Sequence, residues 1–286
     1  MAFPLYPHDD PGPSFSELLR RTGGMPPVPT GPVNGVTHAT TVVALRYADG
    51  VIMAGDRRAT SGNLISHRSM EKVFPADRHS GVAIAGAAGP AVEMVELFQL
   101  QLEHYEKVEG VELSLEGKAN QLSLMVRNNL PAAMQGLVVV PIFAGYDLRR
   151  RVGRLFEYDL TGGRYEESDF ATTGSGRLHA GTVVKLGYRD GIGREEALDL
   201  AISALFQAAD EDSATGGPDL VRGIYPTVAT ITGDGFDRVG EDEVAERFRQ
   251  LVDRLSTPQG TSGLGTAPTI GPGAAGPGHG GSGAAP

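Results

Sequence analysis

The run Thr40-Thr41-Val42-Val43-Ala44-Leu45-Arg46-Tyr47, followed by Ala48-Asp49-Gly50 and then Val51-Ile52-Met53-Ala54-Gly55-Asp56-Arg57-Arg58, constrains the fold more than any other stretch. Two apolar runs joined at a glycine turn predict an antiparallel hairpin inside a core. A three-residue loop flanked by Tyr47 and Val51 sets Val42 opposite Asp56 and Thr40 opposite Arg58. Side chains alternate with period two, so Thr40, Asp56 and Arg58 then share one face and Thr41 takes the other. A two-residue loop reverses this assignment. A hydroxyl, a carboxylate and a cation brought together on a sheet face suggest a reaction site.

Composition narrows the setting. A net charge of -10 argues against nucleic-acid or anionic-membrane binding, since both need clustered basic surface. Zero Cys excludes disulfides and cysteine metal sites and fits a reducing cytoplasm. The seven His are scattered without ligand spacing, so neither a metal nor a cofactor is expected. No apolar run approaches the roughly twenty residues of a membrane span, and the first residues lack the pattern of a signal peptide. A cytoplasmic protein is expected.

Composition also divides the chain. Residues 1–39 are rich in Pro, Gly and polar residues, with one amphipathic helical island over Ser14–Arg21 capped by Ser14 or Ser16. Residues 257–286 are almost wholly Gly, Pro, Ala, Ser and Thr, a composition that predicts disorder. Residues 40–256 form the expected single domain. Helical spacing predicts helices from Pro90 to Lys107, from Ser114 to Gln135 with a break at Pro131, after Gly176, over Arg194–Asp210 and over Glu241–Leu255. Strands are predicted at 80–86, 137–146, 154–160, 164–172 and 225–232, with Thr161-Gly162-Gly163 closing a hairpin. Strands grouped at both ends around paired helices predict an α+β fold, sheet packed on sheet with helices outside.

Lysine usage singles out one residue. The chain has four Lys against twenty-one Arg. Lys107, Lys118 and Lys185 sit in helical patterns and read as solvated. Lys72 lies in an extended segment beside Val73 and Phe74, where a buried ammonium needs a partner, and Asp56 is the candidate. The Gly174-Ser175-Gly176 run, with Gly181 after it, lacks both the G-x-G-x-x-G spacing and the Lys-Ser/Thr of a phosphate loop.

The block Thr40–Thr60 resembles the mature amino terminus of proteasome β subunits, which are N-terminal-nucleophile threonine hydrolases. Glu71-Lys72-Val73, Ile84-Ala85-Gly86-Ala87-Ala88, Gly174-Ser175-Gly176 and Asp212-Ser213-Ala214-Thr215-Gly216-Gly217-Pro218-Asp219 follow in that family's order. The last block, continuing Leu220 to Pro226, is similar to the actinobacterial branch. The resemblance covers about residues 40–256 and implies the four-layer αββα sandwich of these hydrolases.

It also implies a chemistry. A threonine hydroxyl is a poor nucleophile until a base takes its proton. An α-amine titrates near 7.7–8.0, so an N-terminal Thr carries its own base, provided that residues 1–39 are removed as a propeptide by cleavage between Ala39 and Thr40. The resemblance makes Asp56 and Lys72 catalytic, Gly86 the oxyanion donor, and Ser175, Asp212 and Thr215 neighbours of the nucleophile. It assigns Ala59, Thr60, Met70, Ile84 and Ala88, with Phe74 and Val92, to substrate binding. Their apolar character implies cleavage after large apolar side chains. Two departures stand out: Thr215 where many relatives have Ser, and Ala39 where the family has Gly, which predicts slow self-cleavage. The implied partners are α subunits and other β subunits in stacked heptameric rings, a regulatory ATPase unfoldase acting through the α ring, and protein substrates. The simpler bacterial ATP-dependent threonine protease lacks the Asp212–Pro226 block. A non-catalytic ring subunit would not need Thr40, Asp56, Lys72 and Gly86 together. No G-x-S-x-G elbow supports a serine hydrolase.

Overall fold

The computed structural model describes residues 40–256. The expected propeptide 1–39, its Ser14–Arg21 helix, Ala39 and the tail 257–286 lie outside the described residues.

Two five-stranded antiparallel sheets make the centre. The first joins β10 (Phe170–Gly174), β1 (Thr41–Tyr47), β2 (Gly50–Gly55), β11 (Thr227–Thr232) and β12 (Gly235–Arg238) in that order. The second runs β5 (Val73–Asp77), β6 (Ser80–Gly86), β7 (Val139–Asp147), β8 (Val152–Tyr158) and β9 (Arg164–Glu167). A small hairpin, β3 (Ala59–Ser61) with β4 (Leu64–His67), stands beside them. Helices α1 (Ala88–Glu109) and α2 (Leu115–Asn128) cover the second sheet, with a short turn α3 (Leu130–Ala133) after α2. Helices α4 (Arg177–Gly187), α5 (Arg194–Glu211) and α6 (Glu241–Ser256) cover the first.

Alternation along each strand builds the layers. In β1, Val43 and Leu45 pack with Ala201, Leu205 and Phe248 of the helices, while Val42 and Ala44 face the other sheet. In β6, Val82 and Ile84 pack on α1 and α2, while Ala83 faces inward. The layer between the sheets mixes small and large side chains, with Ala44, Ala83, Ala144, Ala171 and Ala229 set among Val42, Met53, Ile142, Leu155 and Ile231. The four-layer αββα sandwich is therefore observed directly.

Several local expectations are corrected. Tyr47 pairs with Gly50 and Val42 with Gly55, so the first hairpin turns in two residues, Ala48 and Asp49, and Thr40 does not lie opposite Arg58. The Ala48 N–H is taken by the Ile192 carbonyl, which holds the turn against the loop before α5. The predicted strand 164–172 is two strands in different sheets, parted at Ser168-Asp169. The predicted strand 225–232 is shorter and continues into an unforeseen hairpin with β12. Helix α1 starts two residues before Pro90, which its first turn tolerates because no N–H is needed there. The break at Pro131 occurs where expected, after Asn128.

Lys118 is also a correction. It lies on the buried stripe of α2 with Leu115, Ala119 and Leu122, not in solvent. Its ammonium meets Asp77 Oδ2 at 2.5 Å and Glu112 Oε2 at 3.3 Å. Replacing it leaves two carboxylates without their cation, although Asp77 keeps the His79 N–H and the Ser80 hydroxyl. Lys118→Ala is expected to cost about 3 kcal/mol in urea unfolding. Lys107→Ala, which removes a solvent-exposed pair with Glu103, is expected to leave the midpoint unmoved. Equal midpoints for the two variants would contradict this reading of Lys118.

Candidate active site

The backbone around Thr40 is held from both sides. The Thr40 carbonyl accepts the Ser175 N–H at 2.9 Å, which continues the β1–β10 pairing past Thr41–Gly174. The next amide, the Thr41 N–H, donates to Asp56 Oδ1 at 2.9 Å. Alternation then puts Thr40 on the inter-sheet side with Val42, and Thr41 on the helix side with Val43.

This closeness explains the glycines of the Gly174-Ser175-Gly176 run. Gly174 has φ 102°, and a Cβ there would lie 1.7 Å from the Thr40 carbonyl oxygen. A Cβ on Gly176 would lie 2.6 Å from the Thr41 hydroxyl. The motif is a packing requirement around Thr40-Thr41.

Asp56 is fully buried and accepts four hydrogen bonds. Oδ1 receives the Thr41 N–H and Lys72 Nζ, the latter at 2.7 Å. Oδ2 receives the Arg58 N–H at 2.9 Å and the Gly216 N–H at 2.8 Å. Lys72 is 3% exposed and comes from the segment leading into β5, so the Lys72–Asp56 pair bridges the two sheets. Its carbonyl accepts the Ile84 N–H, and its Nζ also donates to the Arg58 carbonyl at 2.5 Å. Two of the three ammonium protons are thus committed, and the third is left for another acceptor. Burial pulls the Lys72 pKa below the ordinary lysine value, with Asp56 opposing that pull.

A second network lies behind Thr41. Thr215 Oγ1 donates to Asp212 Oδ2 at 2.6 Å. The Thr215 hydroxyl has only one proton, so in its 2.6 Å contact with Thr41 Oγ1 the donor is Thr41. Thr41 in turn accepts the Gly176 N–H at 2.9 Å. Its hydroxyl is therefore committed both ways, in a fully buried position. Ser175 Oγ donates to Asp212 Oδ2, and the Ala214 N–H donates to Oδ1. Burial works to raise the Asp212 carboxyl, but these donors outweigh it and hold its pKa below the usual carboxylate value.

Of the residues singled out from the sequence, Thr40, Asp56, Lys72, Ser175, Asp212 and Thr215 fall into these two linked networks. Gly86 stands two residues beyond Ile84, whose N–H holds Lys72, with φ 126° at the end of β6. Ala59 and Thr60 are buried at the start of β3, and the Met70 N–H is bound to the Arg57 carbonyl. Ile84 and half-buried Phe74 share an apolar cluster with Ala91 of α1; Ala88 opens α1, and Val92 is exposed. The parts that sequence reasoning missed are the Thr41 hydroxyl and the Gly176 and Gly216 amides; Arg58 is at the site as expected, although not through the expected pairing with Thr40. Backbone donors leave no signal in residue type. Among the described residues no cluster of three or more His, Asp or Glu could hold a metal ion, and no helix is long and apolar enough to cross a membrane.

Residues 36–221 match the family model described as proteasome subunit. The chain is 56% identical over 263 residues to a proteasome subunit beta of Acidimicrobium ferrooxidans, an alignment covering 88% of this chain and 95% of that relative. It is 56% identical over 245 residues to a proteasome subunit beta of Streptomyces griseus, covering 85% and 86%. A proteasome subunit beta of Acidothermus cellulolyticus is 53% identical over 248 residues, covering 85% and 83%.

Proposed function

Since this chain belongs to the proteasome subunit family, we propose that it is a catalytic β subunit whose Thr40 becomes the amino-terminal nucleophile of a threonine endopeptidase. The observation that carries this reading is the buried Asp56 Oδ1, shared by Lys72 Nζ and the Thr41 N–H one peptide bond from Thr40. Removal of residues 1–39 frees the Thr40 amine. That amine accepts the hydroxyl proton while Oγ1 attacks the substrate carbonyl, and the charged Lys72 stabilises the forming alkoxide. The Gly86 N–H receives the oxyanion of the tetrahedral intermediate. Collapse breaks the peptide C–N bond, the amine's proton leaves with the new amino terminus, and the acyl group stays as an ester on Thr40. Water, deprotonated by the same amine, then hydrolyses that ester.

The family likeness supports partners of the same kind: α subunits and other β subunits in stacked heptameric rings, fed by an ATPase unfoldase in the cytoplasm. The decisive experiment is mass measurement of this chain before and after assembly with its α subunits. A chain that begins at Thr40 in the assembled, peptide-cleaving particle is expected. Full activity with residues 1–39 still attached would overturn the proposal.

Ala59, Met70, Phe74, Ile84 and Ala88 support a pocket for a large apolar side chain on the acyl side of the cut bond. A charged group there would lose its hydration without a partner. Fluorogenic peptides ending in Leu, Phe or Tyr are expected to be turned over at least about tenfold faster than those ending in Arg or Glu, the cost of one such mismatch being above 1.4 kcal/mol. Equal turnover would contradict the pocket.

A further inference from the structure

Arg58 touches Asp56, Lys72 and the loop after α5 without being one of the groups just given a chemical role. Its N–H donates to Asp56 Oδ2 and its carbonyl accepts from Lys72 Nζ. Its half-buried guanidinium reaches across to the loop after α5, where Nη1 donates to the Ser213 carbonyl at 3.1 Å and to the Thr215 carbonyl at 3.2 Å. That loop returns the Gly216 N–H to Asp56 Oδ2 and the Thr215 hydroxyl to Thr41. The geometry points to Arg58 as a positioning residue that locks the Asp212–Gly216 loop onto the Asp56–Lys72 pair and so aims the third Lys72 proton at the nucleophile. This inference rests on the proposed threonine chemistry.

The physical case is one of alignment. A carbonyl on the Arg58 main chain fixes one ammonium direction and Asp56 fixes another, so the remaining N–H has one orientation left. The Arg58 main chain is held by Asp56 and Lys72 on one side and its side chain is anchored to the loop carbonyls on the other, so the residue ties the two parts of the site together. Misplacement of a catalytic group by about 1 Å costs on the order of 10²-fold in rate. The guanidinium is also a like charge near Lys72 and contributes to the lowering of its pKa.

The test uses the assembled particle with Arg58→Ala and Arg58→Lys, alongside Thr40→Ala. Arg58→Ala is expected to lower kcat roughly 10- to 100-fold with KM nearly unchanged. Its alkaline activity limb is expected to move to higher pH, since loss of a nearby cation lets Lys72 keep its proton longer. Arg58→Lys keeps the charge, but its ammonium ends one bond short of the Nη1 position that reaches both carbonyls, so its limb stays in place while part of the kcat loss remains. Unchanged kcat in both variants, or a kcat loss in Arg58→Ala with no movement of the limb, overturns the inference. If Arg58→Ala does not assemble, Arg58→Lys decides: a reduced kcat with an unmoved limb supports the role, and an undiminished kcat refutes it. Failure of the threonine reading itself would appear separately, as activity in Thr40→Ala.

Discussion

Thr40→Ala is expected to abolish peptide hydrolysis, by at least about 10⁴-fold, because the nucleophile and its attached base act as one unit. The variant should assemble normally. Both contacts that fix Thr40 are made by main-chain atoms, the carbonyl with Ser175 and the following amide with Asp56, and alanine keeps both. Thr40→Ser, which retains a hydroxyl, should remain active. Thr41→Ala has a different expected effect: it breaks the hydroxyl chain from Gly176 through Thr215 to Asp212, and should weaken packing around the site while leaving a nucleophile in place. An active Thr40→Ala particle beside an inactive Thr41→Ala particle would show that the nucleophile is misassigned. Assays on native-gel-purified particles with a fluorogenic peptide distinguish these cases.

Lys72→Ala should lose activity by roughly 10³-fold or more and also cost stability. Breaking a buried pair by removing one partner typically costs about 3–5 kcal/mol. Here the lower end is expected, because Asp56 keeps three main-chain donors, from Thr41, Arg58 and Gly216. Lys72→Arg keeps the charge but not the reach of a single primary ammonium, so it should recover stability more than activity. A titration gives an independent measure. The charged ammonium is the productive form and its pKa is held down by burial. Activity should therefore fade on the alkaline side below the ~10.4 of a free lysine. A profile flat to that value, or a fully active Lys72→Ala particle, would reduce Lys72 to a structural tie.

Much of the architecture was legible in the chain because its periodicities are clean. Strand 80–86 and the helices over 88–109 and 194–211 carry long apolar patterns of one period, and those segments agree with expectation. The failures occur where a pattern of residue types does not record a change of direction. Residues 164–172 read as one continuous β segment, yet the chain leaves one sheet and enters the other at Ser168-Asp169. The first hairpin turned on a choice between loops one residue apart, which composition alone left open. Lys118 was misread because a lysine on a helix is usually solvated; its place on the 115–118–119–122 stripe was the available signal, and it pointed inward. At the site, Asp56 and Lys72 were legible from charge economy. Arg58 was legible as a nearby cation, though through a hairpin register that the structure does not adopt, whereas the amides of Gly176 and Gly216 act through main-chain atoms, which the sequence does not distinguish.

The five alanines in the layer between the two sheets have a consequence for how such a chain can diverge. Asp56 follows β2 and Lys72 leads into β5 of the other sheet, so their 2.7 Å contact depends on the spacing that this layer sets. The side chains of Ala44, Ala83, Ala144, Ala171 and Ala229 thus serve as shims that set a tolerance elsewhere. A methyl enlarged far from Thr40 would wedge the sandwich and open the ion pair before it unfolded anything. Drift at these interior positions is constrained by the gauge of the chemistry as well as by packing, whereas the helix-facing sides of the same strands remain free to repack.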